Sequence, residues 1–97
     1  MGTIYAIANQ KGGVGKTTTA VNVAACVAEA GFSTILVDAD SQANATVGLG
    51  VPKTTSPNLY EVLAGRVDAS DALVETEVEN LRLLSSHPDL AAANLEL

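Results

Sequence analysis

Apolar positions along this chain fall into runs of two kinds. Residues 3–8 (Thr-Ile-Tyr-Ala-Ile-Ala) and 34–37 (Thr-Ile-Leu-Val) are nearly continuous apolar stretches, the pattern of strands covered on both faces of a parallel sheet. Between them, Ala20, Val23, Ala24, Val27 and Ala28 recur at helical spacing, with Thr18, Asn22 and Glu29 opposite. That periodicity predicts a helix over residues 17–30 that presents a small-residue face to the sheet. Gly31 follows as the expected helix stop. Strand, helix and strand at this separation predict a right-handed βαβ unit with parallel strands.

The second half is less regular. Residues 41–57 carry Ser, Gln, Asn, Thr, two glycines and two prolines, and read mostly as loop. A short helix is expected over 58–64, with Asn58 as N-cap and Gly65 as stop. Ser70-Asp71 predicts another, running to Thr76, and Leu81-Arg82-Leu83-Leu84 a third strand. Pro88 suits the first turn of a last helix with Leu90, Ala93 and Leu97 on one face. That pattern reaches Leu97 without a capping residue, and three strands with one well-defined covering helix leave a parallel sheet partly uncovered. The expectation is an α/β fold, apparently truncated, forming the front part of a longer protein.

Composition narrows the class. Of the 97 residues 47% are hydrophobic but only 3% aromatic, so the core must be built of Val, Leu, Ile and Ala. The net charge of −6 argues against a segment that binds nucleic acid by itself, since phosphate contacts need clustered Lys and Arg. Lys11 and Lys16 sit together, whereas Lys53, Arg66 and Arg82 are scattered. Cys26, the single cysteine, suits a reducing cytoplasm; beside Ala25 and Val27 it is expected to pack as a small apolar residue. No apolar run approaches the ~20 residues of a membrane span, and Asn9-Gln10-Lys11 interrupts the apolar start before it could form a signal peptide. His87 has no Cys, His or paired acid at ligand spacing, and Tyr5, Phe32 and Tyr60 are too dispersed to form a base-stacking platform.

The chemistry gathers between the first strand and the first helix. Asn9-Gln10-Lys11-Gly12-Gly13-Val14-Gly15-Lys16-Thr17-Thr18 is a glycine-rich turn opening into a helix. In that context backbone N–H groups close around anionic oxygens and the helix N-terminus adds a partial positive charge. Lys16 is placed to reach β/γ-phosphates and the Thr17 hydroxyl to ligate Mg²⁺. The motif is a variant P-loop, because its first glycine is replaced by Gln10. Asp38 and Asp40 end the second predicted strand, two residues apart and pointing the same way if the backbone stays extended. Ligand chemistry in such sheets collects beyond the carboxyl ends of the strands, where both the loop and the Asp pair fall. A carboxylate there can orient a water for in-line attack. Alone, the pair could equally be capping turn amides. Lys11 either crowds the bound phosphates or projects towards another molecule, and spacing does not choose.

These stretches resemble a known family. Residues 8–19, Ala-Asn-Gln-Lys-Gly-Gly-Val-Gly-Lys-Thr-Thr-Thr, are similar to the deviant Walker A motif of the ParA/Soj partition ATPases, within the wider MinD-like P-loop class. The likeness continues through Leu36-Val37-Asp38-Ala39-Asp40-Ser41-Gln42-Ala43-Asn44-Ala45-Thr46 and Gly48-Leu49-Gly50, then Asn58-Leu59-Tyr60 and Leu81-Arg82-Leu83-Leu84-Ser85. The resemblance implies a P-loop NTPase-like parallel sheet flanked by helices, with residues 1–97 the N-terminal part of a single nucleotide-binding domain. It implies ATP and Mg²⁺ as cofactors, slow hydrolysis and an ATP-dependent homodimer in which Lys11 contacts the other subunit's ATP. Lys11, Gly12, Gly13, Val14, Gly15, Lys16, Thr17 and Thr18 would form the nucleotide loop. Thr17 and Asp38 would serve the metal, and Asp40 would position the attacking water.

A ParB-type partner, non-specific DNA bound by the complete protein, and a cytoplasmic, nucleoid-associated location follow from the same likeness. Ser41 stands where the family usually has proline and Ala43 where it usually has glycine. The family's later acidic strand, adenine-contacting segment and basic DNA-binding surface would lie beyond Leu97. Two other readings stand beside this one: a truncated phosphate-binding module without turnover, and a MinD-like positioning ATPase.

Overall fold

A computed structural model describes residues 3–8, 14–40, 42–52 and 55–87, with the backbone alone for residues 14–18. The predicted final helix after Pro88 lies outside the described residues. The chain runs β1 (Ile4–Ala8), α1 (Val14–Glu29), β2 (Thr34–Asp38), α2 (Asn44–Gly48), α3 (Leu59–Leu63), α4 (Ala69–Ala72), β3 (Leu73–Glu75) and β4 (Leu81–Leu84). The strands form one sheet in the order β1-β2-β4-β3. β1, β2 and β4 are parallel, as expected, whereas β3 pairs antiparallel with β4 through Leu73↔Leu84, Val74↔Leu83 and Glu75↔Arg82.

Side-chain alternation divides the sheet into two covered faces. Leu36, Leu81, Leu83 and Ala8 are buried with Ala24 and Ala28 of α1 and Ala45 of α2. Leu84, on the other face, is buried with Leu59 at the start of α3 and Ala72 of α4, and Val37 packs against them. The result is a three-layer α/β/α arrangement. Alanine at α1's contact positions brings the helix close to the sheet, so few aromatic side chains are needed to fill the gap.

Several expectations need correction. α1 begins at Val14, three residues before the predicted start, so Gly15, Lys16 and Thr17 belong to its first turn. Its inward stripe is Ala20, Val21, Ala24 and Ala28, while Val23 is 54% exposed. The stripe is rotated from the predicted face by the crossing of α1 over the sheet, which periodicity does not encode. Cys26 is exposed rather than packed. β1, predicted to be covered on both faces, holds Ile4, Tyr5 and Ile7 exposed because it forms an edge of the described sheet. The helix expected from Ser70 to Thr76 stops at Ala72, and the chain turns into β3, where ladder bonds to β4 outweigh helix propensity.

The helix stop at Gly31 is as predicted, and its geometry explains it. Phe32 N–H donates to Val27 O at 3.4 Å and Gly31 N–H to Ala28 O at 2.9 Å, the paired closure that satisfies two otherwise orphaned carbonyls. It requires a positive φ at Gly31, observed at 100°. Asn58 caps α3 as expected, its side chain accepting from Glu61 N–H at 3.3 Å.

Candidate phosphate- and metal-binding site

The register of β1 against β2 assembles the site. Ala8 lies opposite Asp38, and Ala39 N–H donates to Ala8 O at 2.8 Å. The last residue of β1, from which the glycine-rich loop departs, is thus locked beside the Asp38-Ala39-Asp40 strand end. Lys11, Gly12 and Gly13 lie outside the described residues, as does Ser41. Val14, Gly15, Lys16 and Thr17 open α1, and the first four N–H groups of a helix have no partner within it. Those donors and the helix dipole's positive end favour an anion there.

Both aspartates are almost wholly enclosed: Asp38 is 0% and Asp40 1% exposed. Asp38 Oδ1 accepts from Asp40 N–H at 3.0 Å. Its Oδ2 accepts from the Thr46 N–H at 2.8 Å and the Thr46 hydroxyl at 2.6 Å. Asp40 Oδ1 accepts from Gln42 N–H at 2.9 Å, and Oδ2 from Asn44 Nδ2 at 2.7 Å and Asn44 N–H at 3.4 Å. The carboxylates therefore also do what isolated turn aspartates do, holding amides two residues on. Their second task is to hold the amides at the start of α2, which Ala43 cannot cap by itself.

This is why α2 escaped the sequence reading. A five-residue helix has little stability of its own, and here two carboxylates from the preceding strand end supply its N-terminal acceptors. Ala43, where the resembled family carries glycine, adopts φ 59° and ψ 34°, the left-handed conformation that favours glycine.

Burial lifts the Asp38 carboxyl above the usual carboxylate range. Hydrogen bonds from the Thr46 hydroxyl, Thr46 N–H and Asp40 N–H pull the other way, and the Asp40 charge adds to the rise.

The β4 strand end closes the arrangement from behind. The Ser86 hydroxyl donates to the Asp40 carbonyl oxygen, and Ser86 N–H donates to Thr46 Oγ1 at 3.2 Å. Ser85 and Ser86 are both fully buried, and Ser85 Oγ has no hydrogen-bond partner among the described residues. Beside them, the His87 ring stacks on Tyr60 with centroids 5.6 Å apart. Thr46 and Ser86 were missed as site residues because they are 8 and 40 positions away from their partners Asp38 and Thr46. Thr46 lies within the stretch that carries the family resemblance, which was its one signal.

No group of three or more metal-ligating Asp, Glu, His or Cys side chains occurs among the described residues, so they form no all-protein cage. Mg²⁺ is ordinarily held by one or two carboxylates, with waters and substrate phosphates completing the octahedron. The hard oxygen donors at the β2 end fit that ion, and do not fit a soft-metal site.

Comparisons with known proteins agree with this fold. Residues 2–97 match a family described as an AAA domain. The sporulation initiation inhibitor protein Soj of Bacillus subtilis is 49% identical over 98 residues, covering 100% of this chain and 39% of that protein. The chromosome partitioning protein ParA of Caulobacter vibrioides is 45% identical over 95 residues, covering 97% of this chain and 36% of its own length. Among solved structures, a cobyrinic acid a,c-diamide synthase from Mycobacterium smegmatis with bound ADP and magnesium superposes with a TM-score of 0.81. It is 42% identical and covers 95% of this chain and 38% of that one. The chain thus spans less than two-fifths of the length of the curated relatives it matches. With this fold and these matched residues, the chain belongs to the AAA-domain family and, within it, matches the N-terminal portion of the ParA/Soj family.

Proposed function

We propose that residues 1–97 are the N-terminal part of a single ParA-type nucleotide-binding domain, and that the complete protein binds and hydrolyses ATP with Mg²⁺ in plasmid or chromosome partitioning. The observation that carries this reading is the Ala8↔Asp38 pairing, which sets the phosphate-loop departure point and the Asp pair side by side at one end of the sheet. The names of Soj and ParA, and the ADP and magnesium held by the synthase, support it.

In this reading the backbone of residues 12–15 wraps the phosphates and Lys16 neutralises β/γ oxygens. Thr17 and Asp38 serve the metal site. Mg²⁺, when bound, offsets the charge of the phosphates. Asp40 accepts a hydrogen bond from a water and holds it in line with the γ-phosphate. Lys11 reaches the ATP of a second subunit, so the active form is an ATP-dependent homodimer. A ParB-type partner stimulates turnover, and non-specific DNA is bound by surfaces other than this acidic segment. The location that follows is cytoplasmic and nucleoid-associated; no helix among the described residues is long and apolar enough to cross a membrane.

The test is phosphate release by the complete protein, compared with its Lys16→Ala and Asp40→Ala variants. Asp40→Ala is expected to retain nucleotide binding and lose turnover. Unchanged turnover in Asp40→Ala removes that residue from the role, and turnover that does not depend on Lys16 removes the ATPase reading itself.

A further inference from the structure

The bonds at the end of β4 form a directed chain. A hydroxyl carries one proton and two acceptor positions. Thr46 donates its proton to Asp38 Oδ2 and so meets Ser86 N–H as an acceptor. The Ser86 hydroxyl donates to the carbonyl oxygen of Asp40. One residue therefore touches both halves of the carboxylate pair: Asp38 through Thr46, and Asp40 through its own backbone. Ser86 lies two residues beyond the last registered β2–β4 pair, Val37↔Leu84, where the ladder no longer holds the two strand ends together. Side-chain bonds take over there. Asp38, Asp40, Thr46 and Ser86 are all at most 1% exposed, so water does not compete for these bonds.

We propose that Ser86 is a positioning residue for the hydrolytic site, fixing the backbone at Asp40 and the Thr46–Asp38 bond so that the two carboxylates keep one relative placement. The role rests on the nucleotide-hydrolysing reading above. Ser86 touches no reacting atom; it acts through Asp40. Loss of its hydroxyl leaves the Asp40 carbonyl with only the local bond from Ala43 N–H at 2.8 Å, removing its tie to the β4 end, and neither bond of Ser86 involves α1. Nucleotide affinity is therefore spared and the placement of the attacking water is not, and small misplacements of reacting groups cost rate steeply.

The experiment uses the complete protein and two readouts on Ser86→Ala. The first is amide hydrogen exchange at Gln42, Asn44 and Thr46, whose N–H groups bind the two carboxylates. It should quicken about five- to tenfold, the worth of one ordinary hydrogen bond, while Ala24 and Ala28 in α1 stay unchanged. The second is steady-state ATP turnover, where kcat should fall between about tenfold and a hundredfold with KM for ATP within about twofold of wild type. Where the alanine variant does not fold, Ser86→Cys, close in volume and a weak donor, carries the same comparison. Unchanged exchange at the three amides overturns the proposal whatever the turnover. Unchanged kcat, or kcat and KM moving together, overturns it when exchange does respond. If the wild type shows no Lys16-dependent turnover, the ATPase reading fails, and the exchange readout still decides whether Ser86 positions the pair.

Discussion

Replacing Thr46 with valine removes a hydroxyl bound on both sides while leaving the buried volume almost unchanged. Thr46 is 0% exposed, gives its proton to Asp38 Oδ2 at 2.6 Å and accepts from Ser86 N–H at 3.2 Å. A hydrogen bond to a charged group contributes about 1.5–3 kcal/mol, and a buried donor left without an acceptor costs about 1–3 kcal/mol. The added methyl returns about 0.8 kcal/mol. The net expectation for Thr46→Val is a loss of about 3 kcal/mol, against about 1 kcal/mol for Thr46→Ser, which keeps the hydroxyl and gives up a methyl. Urea unfolding at neutral pH followed by circular dichroism measures both. A Thr46→Val cost below about 0.5 kcal/mol, or no larger than that of Thr46→Ser, would show that the hydroxyl bridge contributes nothing beyond packing.

The same variant carries a pH signature. Burial raises the Asp38 carboxyl above its unfolded value, so the folded protein holds this proton more tightly than the unfolded chain. That contribution to stability is fully present below the unfolded pKa and is lost as pH rises through the folded one. The Thr46 hydroxyl bond lowers the folded pKa, so Thr46→Val raises it further and enlarges the loss. Its stability defect should therefore grow with rising pH across the carboxylate range and shrink in acid. A defect independent of pH would place the cost in the Ser86 amide and packing instead of the Asp38 bond.

Other perturbations test separate parts of the chain. Gly31→Ala meets no atom within 4 Å of its new Cβ, so its cost is backbone strain at φ 100° alone; thermal or urea unfolding should show a loss of about 1–2 kcal/mol. Asn58→Ala removes the cap that accepts from Glu61 N–H and should cost about 1 kcal/mol, with Asn58→Asp retaining most of it. Lys11→Ala in the complete protein should abolish ATP-dependent dimerisation in light scattering while circular dichroism stays unchanged; normal dimerisation would remove the cross-subunit role.

What could be read from the residues was whatever depends on neighbours in the chain. The apolar runs at 3–8, 34–37 and 81–84 became strands, and β1, β2 and β4 are parallel as their separation required. Gly31 and Gly65 ended their helices because the closing turn needs a positive φ that glycine adopts without strain. The presence of Asp38 and Asp40 at a strand end was equally legible, since the strand and the pair lie within a few residues of each other.

Tertiary structure decided everything that joins distant segments. The sequence alone assigned 41–57 to loop, because nothing local stabilises α2; its N-terminal acceptors come from Asp38 and Asp40 across a turn. Leu73-Val74-Glu75 became a strand because β4 offered a ladder, a partner invisible to helix-cap reasoning. α1's inward stripe was set by how it crosses the sheet, which left Val23 and Cys26 outside. The link from Ser86 through Thr46 to Asp38 spans two strand ends and a short helix. Local pattern records which groups a segment offers, whereas burial and hydrogen-bond partners depend on what the rest of the chain places opposite them.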